Sequence, residues 1–518
     1  MIHYDDRRRM VRPMPATSRH RTLGGAALVL TLTLPAAASA SERFDGWDFY
    51  FGDLHAHSGA SGDGYSSDMG QGCAELGGEL QPCGETAAIV EIAREHGLDF
   101  MAVTDHVNGR YGSDPTDFDD VLDLVMSGHD PDQGFLTIPA GEIYTGHHGK
   151  VGGHLNLYFF AENTELFDLH LQDFTWGYNG EAPVDTVQDC GTLWRWMAQL
   201  EEDFGPVLIL PHHPQMAQAM ATNWACHSRV YPESRRYAPA VEIYSRHGDN
   251  TVMPTEYDPL WGADTEALHD LSSALDPEGW SLRLGLLAGT DAHDTQPGAV
   301  CANSGAYLAM QYGGGLAVVV LPEGEAWTRT ALHEAIGQRH SYATSGPMLP
   351  VVLEYRVDGQ RLGGMGDEID LPSDATLEAE LRIPAALEHT VESAHLITPE
   401  GSLSLAPQGD GIFGASISPD KRPAWAYARL LLDGERWYGQ AGCDDGGANN
   451  EERIWLSPTW FDPINDESPD PDTGVQARQG CRGCSGRRGA VPGRALLLLA
   501  GLIASARRRL RPIIVRSW

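Results

Sequence analysis

The body of this chain has little positive charge. Of its 36 Lys and Arg, sixteen lie in residues 1–40 and 476–518, which hold only two of the 72 Asp and Glu. The stretch between therefore carries 20 basic against 70 acidic groups, a net charge near −50. Such a surface repels DNA, RNA and anionic lipid, which argues against a polyanion as partner. Solubility in a cation-rich exterior accounts for most of the acids. Long apolar runs are scarce as well: 495–506 falls short of the roughly 20 residues a spanning helix needs. No CxxC pair occurs in the body, which argues against a thiolate zinc site. No internal repeat is visible. The rest is ordinary, since 42% hydrophobic residues suffice for a sizeable core and 518 residues call for two or three domains.

The charge asymmetry has its origin at the two ends. "RRRMVRPMPATSRHR" is basic, "LGGAALVLTLTLPAAA" is apolar, and "ASA" precedes Ser41. That order predicts a secretory signal peptide over 1–40, with Met10 and Met14 as alternative starts. At the other end "CRGCSGRRGAVPGRALLLLAGLIASARRRLRP" offers a cysteine pair, a short apolar run and an arginine cluster. This tail, 481–518, resembles the MYXO-CTERM sorting tails of myxobacterial surface proteins, with a longer cysteine-to-helix gap and "PIIVRSW" trailing the arginines. The resemblance implies a secreted or surface-anchored protein whose membrane association is transient. Export favours disulfides among the six body cysteines, Cys73, Cys83, Cys190, Cys226, Cys301 and Cys443, with connectivity open. Cys73 with Cys83, which closes a short Gly-rich loop, is the preferred pair.

From Trp47 to about Pro350 strand-like runs alternate with helical ones. "DFYFGDLHAH", "LDFMAVTDH", "FLTIPAGEIYT", "GHLNLYFF", "PVLILPHHP", "AVEIYSRHG" and "RLGLLAGTDAHD" are seven strand candidates. Most are nearly continuous in apolar residues, as strands of a parallel sheet buried on both faces are. "ETAAIVEIAREHG", with Ala88, Ile89, Ile92 and Ala93 at helical spacing, and "TLWRWMAQLEEDFG", stopped by Gly205, read as helices. This alternation predicts an α/β fold, a barrel or a doubly wound sheet, over 41–350. Beyond it "VVLEYRV", "ATLEAELRI", "AYARLLLDGERWYG" and "RIWLSPTWF" are short alternating runs broken by Gly, Pro and Asp. They predict a small all-β sandwich-like domain, 351–462, that packs on the first domain or binds a partner. "FDPINDESPDPDTG" opens an acidic linker, 463–480.

The polar residues of the first domain gather in one place. Six of the seven runs carry His, Asp or Glu at or just past the carboxyl end, and "VEIYSRHG" offers Arg246 and His247. Chemistry in parallel α/β barrels collects at that rim, and a structural histidine has no reason to recur there. In "FGDLHAHSGASGDG" the side chains of His55 and His57, at i and i+2 of a strand, point to the same face, with Asp63 close behind. Imidazole and carboxylate suit zinc, iron or manganese.

"DLHAH", "VTDH", "AGE", "GH", "HHP" and "GTDAH", in that order, resemble the PHP (polymerase and histidinol phosphatase) metallohydrolases. "YFGDLHAHS", "YATSGP" and "SPTWF" are similar to the branch related to carbaryl hydrolase. The resemblance covers roughly 47–350 closely and the β-rich region loosely. It implies a distorted (β/α)7 barrel with two or three divalent ions, zinc, manganese or iron. Carried over, His55, His57 and Asp291 would hold the first ion, and Glu142 would bridge it to a second completed by His154 and His213. Asp63, His106 and His293 would hold a third; the Asp63 position varies between His and Asp in the family. His147 and His148 compete with His154, and His213 is preferred to His212 because the family's histidine directly precedes the proline. Those three are otherwise rim or outer-shell polar residues. Glu142, Asp291 and His106 are the catalytic candidates.

The surrounding residues have roles that follow from chemistry. Asp53 and Asp105, each close to a ligand histidine, are expected to orient an imidazole, with strand-end capping as the alternative. Arg246 would meet a substrate phosphate or carboxylate, or else is a plain surface arginine. The loops 59–84, 107–134 and 216–235 are long enough to shape a pocket. Asp114, Asp117, Asp119 and Asp120 are read as solvated rather than calcium-binding. Metal-activated water makes a Ser or Cys nucleophile unnecessary. The expected activity is hydrolysis of a small to medium phosphoester. Carbamate, ester or amide hydrolysis is the runner-up, and a metal-holding surface binding protein is the non-enzymatic alternative.

Overall fold

All seven strand candidates are strands: β1 (Trp47–Asp53), β2 (Phe100–Val103), β3 (Leu136–Thr145), β4 (Gly153–Phe159), β5 (Val207–Pro211), β6 (Ala240–Ser245) and β7 (Gly285–Ala288). The structure is a computed structural model. It describes residues 42–463 except 69–74, 77–78, 81–82, 108–114, 146–152, 163–188, 213, 215–223, 229, 252–270, 301–313, 373 and 435–450. The expected signal peptide, the sorting tail and nearly all of the acidic linker lie outside the described residues, as do His147, His148, His213, Asp114, Cys73, Cys301 and Cys443.

The fold is mixed α/β. β1, β2 and β3 are parallel neighbours, but β4 turns back antiparallel on β3, and β5 runs antiparallel to β4. The departure from an all-parallel sheet has a simple cause. Thr145 and Gly153 are too close in sequence for the crossover of about a dozen residues that a parallel pair needs. β6 and β7 are parallel and form a separate three-stranded sheet with Gly248–Asp249. β8 (Leu316–Pro322) adds antiparallel to the free edge of β1, and β9 (Ser341–Thr344) to β8. No ladder among the described residues joins β5 to β6 or β7 to β8, so the sheets are not closed.

Burial on both faces explains the apolar runs. Phe49 and Phe51 of β1 enter one cluster while Tyr50 enters another, and Phe100 and Ala102 of β2 part from Met101 and Val103 in the same way. The helix Cys190–Phe204 buries Leu193, Trp194, Met197 and Leu200. The Asp189 side chain accepts from Thr192 N at its start, and Gly205, at φ +81°, ends it. Ile89 and Ala93 are the buried positions of the helix Ile89–Glu95. The stretch 107–134, expected as a loop, contains the helix Pro115–Ser127, whose Asp119 and Asp120 are exposed. Among the described residues no helix is long and apolar enough to cross a membrane.

The β-rich region continues the first one's sheet. Val352–Val357, Gln360–Gly364, Leu377–Arg382, Ala406–Gly409 and Ile412–Ile417 form a five-stranded sheet. Glu451–Leu456 instead pairs with β9 on one side and with Trp425–Asp433 on the other. Leu353, Tyr355 and Leu381 from the first set face Ala428, Leu430 and Ile454 from the second, across one core that also takes Phe49 and Phe51. The described residues accordingly form one compact unit. A disulfide joins Cys190 to Cys226, and Cys83 is disulfide-bonded as well.

Candidate metal centre

The motif after β1 and the motif after β7 are laced together before any donor is placed. Asp291 N donates to His55 O at 2.6 Å and His57 N to Ala292 O at 2.7 Å. Asp53 accepts from His55 N, Thr290 N, Thr290 Oγ1 and Gly298 N. Asp105 accepts from Ser58 N and Ser58 Oγ at 2.7 and 2.6 Å. Both carboxylates thus cap backbone and hydroxyl groups. Of the two expected roles, the hydrogen bonds shown are those of capping, and they come from backbone N–H and hydroxyl groups rather than from an imidazole. Gly64 closes the loop: a Cβ there would lie 1.8 Å from Ser58 O. Asp291 adopts φ +51°, a left-handed backbone that costs energy outside glycine and recurs at functional sites.

Four overlapping triads converge at this rim, each with its donor atoms within 4.8 Å of one another: His55–His57–Asp291, His55–Glu142–His212, His57–His106–Glu142 and His57–Asp63–His293. Glu142, from β3, sits at the centre. Its Oε2 is 3.4 Å from His55 Nε2 and 3.3 Å from His57 Nε2. Its Oε1 is 2.9 Å from His154 Nδ1, 3.2 Å from His212 Nε2 and 3.5 Å from His106 Nδ1. Asp291 Oδ1 lies 3.4 and 3.3 Å from the same two Nε2 atoms and 3.1 Å from His293 Nε2. Asp63 meets His293 and His106 at 3.2 and 3.4 Å.

Eight of the nine candidate ligands are therefore together: His55, His57, Asp63, His106, Glu142, His154, Asp291 and His293. The ninth, His213, lies outside the described residues, while His212, read from the sequence as a rim residue, is fully buried and touches Glu142. His154 belongs to the cluster because β4 is antiparallel, which brings the start of that strand to the rim where β3 ends. Arg246 is not a surface residue: it is 6% exposed, and its guanidinium donates to Asp291 O at 3.2 Å. Two residues escaped the candidate ligand list. His247 Nε2 is 2.7 Å from Asp291 Oδ2, and Glu242 Oε2 is 2.8 Å from His55 Nδ1.

The electrostatics follow from density of charge in a buried place. Burial pushes the Glu142 carboxyl up, yet the charges of His106 and His212 and the hydrogen bonds of His154 and His212 hold it well below the usual range. Burial likewise opposes ionisation of Asp63, which His293 and His106 more than offset. Burial lowers His293, but Asp63 and Asp291 raise it to about 10. His154 is dominated by burial and falls to about 4.

These donors fit a divalent ion. His57 Nδ1 is paired with Ser61 Oγ at 3.2 Å, and the hydroxyl lies the same distance from Asp63 Oδ1. With the proton on Nδ1, the buried Nε2 presents a lone pair to two carboxylate oxygens, 3.3 Å from each and without a hydrogen bond. Acceptor facing acceptor is resolved by a cation between them. An imidazole and carboxylate set without thiolate suits zinc, manganese or iron. No protein-family model matches the chain, and a search of curated proteins finds no match either.

Proposed function

We propose that this chain is an exported metal-dependent hydrolase of the PHP type, acting on a phosphoester of small to medium size. The observation that carries the reading is the overlap of the four triads through His55, His57 and Glu142, with Glu142 Oε2 and Asp291 Oδ1 both facing the Nε2 atoms of the two histidines. His55, His57, Asp63, His106, Glu142, His154, His212, Asp291 and His293 would hold two or three ions of zinc, manganese or iron. Bound there, such ions supply a water acidified to near-neutral pKa and a Lewis acid for charge developing on the substrate.

The chain's own residues set the direction of approach. His55, His57 and His212 are fully buried, whereas the side chains of Asp63 and His247 keep 11% of their surface. Substrate enters on that side. His247, with Nε2 2.7 Å from Asp291 Oδ2, is placed to hold or pass a proton there, and His106 with Glu142 orients the attacking group. Arg246 holds the left-handed Asp291 by its carbonyl rather than gripping an anion. Four carboxylates, Asp63, Glu142, Glu242 and Asp291, bear on substrate charge: three dications leave the site positive, which suits a phosphoester. Two leave it neutral. That count favours a second reading, hydrolysis of a neutral carbamate, ester or amide.

The test is turnover of p-nitrophenyl phosphate against a phenyl carbamate with Mn²⁺ or Zn²⁺ supplied. Phosphate hydrolysis, reduced at least about 100-fold in His57→Ala, is the expected outcome. Preference for the carbamate establishes the second reading. Metal bound with neither substrate turned over, across a broad screen, contradicts both and returns a surface binding protein.

A further inference from the structure

A single acid interrupts the apolar strand β6, "AVEIYS". Glu242 is buried, and its Oε2 lies 2.8 Å from Nδ1 of His55, which has no exposed surface. A carboxylate in such a place is costly unless paired. The surroundings are shaped for this pair. A Cβ on Gly289, just past β7, would lie 2.9 Å from Glu242 Oε2 and 2.5 Å from His55 Cβ. Only a residue without a side chain lets the strand, the turn and the histidine close together.

The neighbouring histidine offers an internal comparison. His57 Nδ1 meets a neutral hydroxyl, Ser61 Oγ, at 3.2 Å. The Nε2 atoms of both rings face Glu142 Oε2 and Asp291 Oδ1 at 3.3 to 3.4 Å. The two rings share their inner partners and differ in the outer one, a full charge against none.

We infer that Glu242 is a positioning residue for metal capture, acting through His55. Its carboxylate accepts a hydrogen bond from Nδ1–H, which fixes the ring in the tautomer that presents the Nε2 lone pair to the rim, and its charge makes that nitrogen the stronger donor of the two. The inference rests on the metal-centre reading above.

Zinc affinity of the purified protein, measured with Zn²⁺ alone against a chromophoric chelator, tests it. Glu242→Gln keeps the size and an acceptor oxygen but removes the charge. It is expected to weaken Zn²⁺ binding about 10- to 100-fold while the metal-free protein unfolds at the native temperature. In a His55→Ala background the same change is expected to have no effect on residual affinity. Native affinity in Glu242→Gln, or an equal loss in both backgrounds, overturns the inference. Should Glu242→Gln not fold, Glu242→Asp carries the test. Its shorter carboxylate withdraws from Nδ1, and at least about a threefold loss is expected, native affinity again overturning the claim. A native protein that binds no Zn²⁺ fails the metal-centre reading itself, whereas native binding with unaffected variants fails this inference alone.

Discussion

His212 and His213 show what a single residue can hide. The two are adjacent just past the end of β5, and sequence spacing alone does not say which of two neighbouring histidines enters a site. Glu242 hid for a different reason. It lies inside an apolar run, four and five positions before the Arg246 and His247 that end it, and a buried acid in mid-strand carries no periodic signal. The donors that were legible, His55, His57, His106, Asp291 and His293, stand where apolar runs stop, which is where a rim must be, and Glu142 stands late in the run of β3. Away from the rim, Asp99 has a consequence of its own. It accepts from Phe51 N at 2.8 Å, and burial, with a smaller push from Glu42, raises its carboxyl to about 7. A folded value above the unfolded one favours the protonated fold, so this stability is complete below pH ~4 and is lost as pH rises to about 7. Asp99→Asn keeps the acceptor and removes the charge. Its thermal midpoint is expected to exceed the native one at pH 8, by on the order of 3 kcal/mol in stability, and to match it near pH 4. An equal shift at both pH values contradicts the assignment.

At the scale of elements, existence was easier to read than direction. An apolar run looks the same in either sense, so the antiparallel course of β4 was signalled only by the short connection before it. The helix Pro115–Ser127 was legible in principle: Val121, Leu122 and Val125 are buried at helical spacing. The acidic residues between them give the stretch the composition of a solvated loop. The helix Cys190–Phe204 was read from its amphipathic pattern, but the disulfide at its first residue was not, because pairing among six cysteines is a matter of tertiary distance. That bond closes a loop of 36 residues. Replacing Cys190 and Cys226 by Ser is expected to lower stability by about 3–4 kcal/mol in denaturant melts, mainly through a freer unfolded chain. A change below about 1 kcal/mol would show that the link is not formed in the folded protein.

For the molecule as a whole, composition marked a boundary near Pro350 that the hydrogen bonding crosses. The change of pattern there is real, since strands replace alternating helices and strands. What composition cannot carry is the long-range pairing of β9 with Glu451–Leu456, which makes the second region a cover for the outer face of β1. The acidic body is consistent with the rim it surrounds, because a negative potential gathers cations near a cation-binding site. All of this turns on whether the rim binds metal. Elemental analysis of the protein purified without added metal, then after dialysis against Zn²⁺ or Mn²⁺, tests that most directly. Two or three equivalents per chain, falling by at least one in Glu142→Ala, is the result expected; well under one equivalent in every preparation would contradict it.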